Sequence, residues 1–364
     1  MNRFILLAIA AILVSGCDSQ KPYHIVKVDN PAFAPNIAFV GYEDLTSPKF
    51  KILKEKYQLD TIFRGETVEL KRILLLRDWI RKHIQINDPG PHPGDGSCES
   101  ILDHALKGSG YHCGHFMVVQ NATMNAYGYI TRCVGAGPGG QDGQDGHHGI
   151  NEIWLNSYHK WFLSDAKYNS HFEKNGIPLS ALEVREEYLK NRAADIIRVT
   201  GPGRTPVDAD TGYNMNKEEF ARTYTWLEWD MYNTRYTAWP NDSAQLIMYK
   251  DAYFTNHRWI WDGKPHWAYN SAYMNLVSDR KAIEWTPNTI ASKVTIEGNK
   301  ARIELTSNTP NLKTYRMRET PDENWKDVSS VMEIVLKKQK NEMIIQAVNI
   351  GEVSGPEHRI LIEQ

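Results

Sequence analysis

The chain has 364 residues, with 42 Lys and Arg set against 44 Asp and Glu for a formal net charge of −2. That balance excludes the basic stripe of a nucleic-acid binder. The length allows two or three domains with cores of their own, and neither an internal repeat nor a low-complexity tail divides it further.

In chain order, Arg3 gives a positive start and residues 4–14 form an apolar run too short to span a bilayer. Val14-Ser15-Gly16-Cys17 then resembles the lipobox of bacterial lipoproteins. The resemblance implies a signal segment over residues 1–16, lipidation of Cys17, and an exported envelope protein tethered to a membrane by its N-terminal lipid. Residues 17–60 read as a polar, proline-punctuated lead with one short amphipathic helix over 50–57. Thr67 is an N-cap candidate for the next helix, where Leu70, Ile73, Leu74, Trp79 and Ile80 form an apolar stripe at helical spacing. Asp88-Pro-Gly-Pro-His-Pro-Gly-Asp-Gly-Ser97 carries every signal of a loop. A short helix over 99–106 follows.

The stretch Gly108-Ser-Gly-Tyr-His-Cys113 delivers a cysteine to the start of a helix-like run over 114–127, which Gly128 ends before a short strand over 129–134. A thiol at a helix N-terminus faces unsatisfied backbone N–H groups, which favour the thiolate. Residues 149–155 alternate as a strand, 156–159 supply a turn and 160–165 return as a hairpin. Folded so, His148 comes within diagonal reach of Asp165. Nucleophile, base and orienting carboxylate then stand in the order that cysteine acyl transfer requires. His147 is the rival base, and strand parity sends the two histidines to opposite faces. Glu152 reads as a structural hydrogen-bond partner.

Gly110-Tyr-His-Cys113 with Tyr127-Gly-Tyr-Ile-Thr-Arg132 resembles the nucleophile segment of transglutaminase-like proteins. His148-Gly-Ile-Asn-Glu-Ile153 is similar to their His-x-x-Asn-Glu strand, and His159-Lys-Trp-Phe-Leu-Ser-Asp165 to the strand bearing their third residue. The helix over 69–83 also sits where that family has one. The resemblance covers roughly residues 60–170. It implies Cys113 as nucleophile, His148 as base and Asp165 as orienting acid, and it selects His148 over His147. The sequence departs from papain-like relatives in having no glutamine close before Cys113 to complete an oxyanion hole. Residues 135–146 are also glycine-rich, as a flap over the site would be.

Cys98 and Cys133 either form a disulfide bracketing the nucleophile helix or remain buried thiols, and spacing does not choose. His112, Cys113, His115, His147 and His148 lack any paired-cysteine or His-Glu-x-x-His spacing, so neither a metal nor another cofactor is expected. Asp142-Gly-Gln-Asp145-Gly resembles half a calcium loop without the later acid.

Residues 171–285 read as an aromatic-rich extension of the catalytic domain, with helices over 180–193 and 216–232. Trp226, Trp229, Trp239, Trp259, Trp261 and Trp267 are six of the 11 tryptophans, expected to pack a second layer and to suit a substrate wall. Short strands fill residues 286–364, whose late segments resemble fibronectin-III or immunoglobulin-like sandwiches. The fold expected is α+β: a transglutaminase-like, papain-like core over 61–170 with its nucleophile helix on an antiparallel sheet, then an all-β sandwich. The function expected is amide or peptide hydrolysis through Cys113, His148 and Asp165 and a thioester, on a peptide, peptidoglycan-peptide or glycopeptide. The alternative is a non-catalytic glycan- or peptide-binding lipoprotein with a silent site. The oligomeric state is left open.

Overall fold

A computed structural model describes residues 21–31, 41–140, 144–210, 215–238, 246–266, 274–337 and 339–364. The lipobox cysteine Cys17, Trp239, Trp267 and the Asp142 end of the half calcium loop lie outside the described residues. The architecture is α+β, with helices and many antiparallel strands.

Helix Cys113–Asn125 is the central rod, buried along most of its length from Phe116 onward. A helix apolar on nearly every side must be covered on nearly every side. Helices Pro48–Lys56, Glu69–His83 and Cys98–Ala105 cover it on one side, and their buried leucines and isoleucines merge with Phe116, Val119 and Met124 into one core. On its other side lies a six-stranded sheet in the order Met274–Val277, Leu246–Tyr249, Trp226–Asp230, Thr131–Gly137, His148–Leu155, Lys160–Ser164. Its pairs are antiparallel except for the 246–249 and 274–277 strands. The far face of the sheet carries a second core, including Ile150, Trp154, Trp161 and Trp229.

The sheet ladder explains one correction. Residues 216–232 are not a single helix: Lys217–Arg222 is helical, and Trp226–Asp230 is a strand between two others. Trp226-Leu-Glu-Trp-Asp satisfies a mixed pattern, and pairing with Thr131–Gly137 decides it. The N-cap of Glu69–His83 is Val68 rather than Thr67. No side chain caps its first turn; the Glu66 carboxylate accepts instead from the Thr67 and Val68 N–H groups just ahead of the helix, at 2.9 Å each.

Two carboxylates hold the 148–164 hairpin against its neighbours. The turn opens after Leu155, paired with Lys160, so four residues make the reversal as their sequence suggested. Glu69 at the helix start accepts from the backbone N–H groups of Asn156 and Ser157 at 3.0 and 2.9 Å, and from both their side chains. Meanwhile Glu152, fully buried, receives Arg132, the Trp229 indole and the Ala181 N–H. It ties three elements together, which is the structural role read from its position.

The C-terminal strands form two sheets around a shared core. Ile290–Glu297, Lys300–Ser307 and Val331–Val335 make one. Leu312–Arg318, Lys326–Val328, Lys340–Asn349 and His358–Glu363 belong to the other, whose edge strand is His24–Val28 from the lead segment. This unit docks on the end of the central helix. Gly128 ends that helix with φ +76, and a Cβ there would meet Asn349 and Gly351 at 2.9 Å. The Asn349 amide donates to the Gly128 carbonyl at 2.7 Å.

Candidate active site

Cys113 is the first residue of its helix, with His112 as N-cap. The cap is an imidazole: His112 Nδ1 accepts from the Gly114 N–H at 3.1 Å, which leaves the ring proton on Nε2. The helix start lies against the strand at Gly149, where a Cβ would touch Gly114 Cα and N at 3.4 Å. A glycine on the strand thus lets the helix end approach, and the thiol reaches past it to the neighbouring His148.

His148 and Asp165 meet across the hairpin. Ser164 pairs with Asn151, so Asp165 is diagonal to His148 on the same face. His148 Nε2 donates to Asp165 Oδ2 at 2.8 Å, and both are buried. The carboxylate also takes the Tyr224 hydroxyl at 3.1 Å and the Tyr168 N–H at 3.2 Å. With Nε2 so occupied, the other ring nitrogen is left for the thiol, and Cys113 and His148 hydrogen-bond.

The electrostatics follow from these contacts. Burial raises the Cys113 thiol, but hydrogen bonds from His112 and His148, the His148 charge and the Gly149 N–H outweigh it and bring it down to about 5. Burial lowers His148, yet the Asp165 carboxylate and then the Cys113 sulfur lift it to about 9. Asp165 is pushed up by burial and pulled further down by His148, remaining ionised below the usual carboxylate range. Both directions favour a thiolate beside an imidazolium. The other cysteines are unlike it: Cys98 and Cys133 are free thiols, not a disulfide, and burial raises both.

Two clefts meet at Cys113. One, of about 490 Å³, is walled by Met117, Leu246, Trp261 and the charged Glu228, Asp230 and Arg235. The other, of about 660 Å³, is walled by Asp88, Asp145, Lys167, Tyr168 and Phe220 among others. His112, His147 and His148 border both. His147 stacks flat on Trp261, centroids 4.1 Å apart, whereas it is His148 that meets Asp165.

Of the described tryptophans in the aromatic-rich extension, Trp226, Trp229 and Trp259 are packing residues and Trp261 reaches a cleft. Packing also accounts for the glycines after Val134. A Cβ at Gly137 would strike the Trp259 indole at 2.1 Å, and one at Gly139 the Trp226 indole at 2.1 Å. Gly140 pairs with Arg258, so the described part of that segment is tied into the fold rather than standing free as a flap.

Sequence reasoning missed the support beneath Asp165. Arg77, fully buried on helix Glu69–His83, donates to the Asn169 side chain at 3.1 Å and the Ser170 carbonyl at 3.0 Å. Asp165 and Ser170 exchange backbone hydrogen bonds, so Arg77 braces the turn that carries the carboxylate. An arginine within an apolar helical stripe was the available signal. His92 was missed too: it arrives from the 88–97 loop to stand against His112 and His115.

Residues 57–166 match the family model of the transglutaminase-like superfamily. That span contains Cys113, His148 and Asp165 and supports chemistry of the cysteine acyl-transfer type. No curated protein matches the chain.

Proposed function

From a chain that carries a transglutaminase-like domain over residues 57–166, we propose an amide- or peptide-bond hydrolase working through Cys113, His148 and Asp165. The observation that carries the reading is the bridging of His148 between a thiol and an ionised carboxylate where two open clefts meet.

The Cys113 thiolate attacks the substrate carbonyl, forming the S–C bond and pushing charge onto oxygen. The Cys113 N–H, at the first turn of its helix, is one donor for that oxyanion. His148 as imidazolium gives its proton to the leaving amine as the C–N bond breaks, and a thioester remains. Neutral His148 then takes a proton from water, whose oxygen attacks the thioester, and thiolate and imidazolium are restored. Asp165 holds the ring by Nε2 throughout. The cleft walled by Met117, Leu246 and Trp261 suits the apolar part of a peptide, and the one walled by Asp88, Asp145 and Lys167 suits its polar continuation and the entry of water.

The proposed setting is the bacterial envelope, with Cys17 lipidated and peptides or the peptide parts of peptidoglycan and glycoconjugates as substrates. The C-terminal two-sheet unit is read as an immunoglobulin-like spacer or docking module. Partition of the expressed protein into a detergent phase, lost in Cys17→Ala, tests the tether.

The chemistry is tested by incubating purified protein with a p-nitrophenyl ester and with peptide amides, following Cys113 by intact mass. A thioester adduct confined to Cys113, absent in His148→Ala and discharged by water, is expected. Failure to acylate, acylation indifferent to His148, or discharge only by added amines would overturn the hydrolase reading.

A further inference from the structure

Three imidazoles converge beside the nucleophile, and of these the acyl-transfer reading uses only His112, as a hydrogen-bond donor to Cys113. His112 caps the central helix and His115 lies three residues on, so both rings project from its first turn. His92 closes the triangle from the loop before helix Cys98–Ala105. Ring centroids are 4.6 Å apart for His92 and His112, 4.9 Å for His92 and His115, and 4.1 Å for His112 and His115. One nitrogen from each lies within 4.8 Å of the other two.

The surroundings are those of a built site. His92 Nε2 donates to the Asn87 carbonyl at 2.7 Å, which fixes its tautomer and leaves Nδ1 with a free lone pair. A backbone carbonyl on the far nitrogen is the usual orienting partner of a metal-ligating histidine. The loop itself is held: Asn87 N–H donates to the Tyr111 carbonyl at 3.1 Å, and the Tyr111 hydroxyl to the Pro93 carbonyl at 2.8 Å. His115 Nδ1 is buried without a hydrogen-bond partner. The buried Tyr111 ring lies against His92 and His115 and shields one side.

We propose that His92, His112 and His115 bind one divalent late transition-metal ion, zinc foremost, with a coordination position left open. Three neutral imidazoles suit zinc, copper or nickel and are poor hosts for magnesium or calcium. The site is within reach of sequence only in part. His112 and His115 were visible beside Cys113, but their third partner is about 20 residues upstream and no spacing rule links them.

His112 is shared between two uses. In the metal-free protein the Gly114 N–H occupies Nδ1 and the proton sits on Nε2. A metal at Nε2 takes that proton's place; the proton moves to Nδ1, the Gly114 hydrogen bond opens, and the hydrogen bond from His112 to Cys113 is given up. Metal and helix end therefore compete for one ring, and an occupied site stands next to Cys113 without requiring its sulfur.

The test is titration of the purified full-length protein with Zn(II) against a chromophoric chelator, with Co(II) visible spectra as a second readout. Wild type and Cys113→Ser should each take up one equivalent with the same affinity. His92→Gln and His115→Gln should each weaken binding at least tenfold, and both together should abolish it. His92→Gln lies on a surface loop, and unchanged melting shows that loss of metal is not loss of fold. Absence of stoichiometric binding overturns the proposal. So does binding that survives the double substitution, or binding that needs Cys113, which would put the metal on the nucleophile. None of these outcomes depends on catalysis, so a silent acyl-transfer site and an absent metal site are told apart.

Discussion

Two buried histidines each stand 2.8 Å from a carboxylate, and they are driven in opposite directions. His148 beside Asp165 is raised to about 9, while His171 beside Glu173 is lowered to about 4. Burial lowers both, so it does not separate them. The difference lies on the far side of each ring. His148 turns its other nitrogen to the Cys113 sulfur, an incipient anion. His171 turns Nδ1 to the Arg77 guanidinium at 3.2 Å, and Arg204 grips Glu173 from outside at 2.6 and 2.7 Å. An imidazole between two negative groups is held charged; one between a guanidinium and a carboxylate is held neutral. The same pair of residue types is thus a candidate acid in one place and a brace in the other, and the third partner decides which.

The sharpest break in the comparison is to delete the reactive side of it. Cys113→Ala should abolish acylation and His148→Ala should lower it by a thousandfold or more, as read by intact mass, with the melting temperature little changed in Cys113→Ala. Replacing the brace should do the reverse. Arg77→Met removes a buried cation from its partners and should destabilise the fold by about 3–5 kcal/mol in urea unfolding. It should also let the His171 titration rise, seen by NMR.

A pH profile sharpens the contrast. Attack needs the thiolate, present above about 5, and the leaving amine needs the imidazolium, present below about 9. The rate constant for acylation should be bell-shaped between those limbs. In Asp165→Asn the principal support that lifts His148 is gone, so the basic limb should move down and the plateau narrow.

The brace has its own pH signature, in stability. The folded His171 titrates near 4 against an ordinary value of 6.5, so in that window the unfolded chain binds more protons. Stability should fall as pH drops from about 6.5 towards 4, by of the order of 3 kcal/mol from this group. Glu173, lowered to about 2 from 4.5, adds a further loss as pH falls below its ordinary range. Urea midpoints across that window should show both, and His171→Asn should flatten the upper part. The smallest effect is expected from Cys98→Ser and Cys133→Ser. Their buried, raised thiols should leave the pH dependence of Cys113 alkylation by iodoacetamide unmoved.

Much of the reactive side was legible because it is local. Strand alternation and a four-residue turn suffice to put His148 diagonal to Asp165, and a glycine-flanked cysteine before a helix announces its own exposure to N–H dipoles. The brace was not legible, since Arg77, Asn169, His171 and Arg204 come from a helix, a turn and two later segments, and nothing in their spacing joins them. Tyr224 on Asp165 belongs to the same class. Trp226–Asp230 was misread for a related reason: five residues with two tryptophans fit either period, and only the neighbouring strand settles the matter. The disulfide question was equally beyond spacing, because it depends on where two backbones stop relative to each other.

The strand His24–Val28 closes a sheet against the last strand of the chain, Val28 opposite Ile360 and His24 opposite Glu363. Joining segments so distant carries only a modest entropic penalty, since loop-closure entropy grows with the logarithm of length. The consequence is one of interdependence: without His358–Glu363 the strand His24–Val28 loses the partner it pairs with, and an unpaired strand presents open N–H and C=O groups to any chain it meets. Deleting residues 358–363 should therefore free the lead segment from the sheet, read as lost protection of the 24–28 amides in hydrogen exchange.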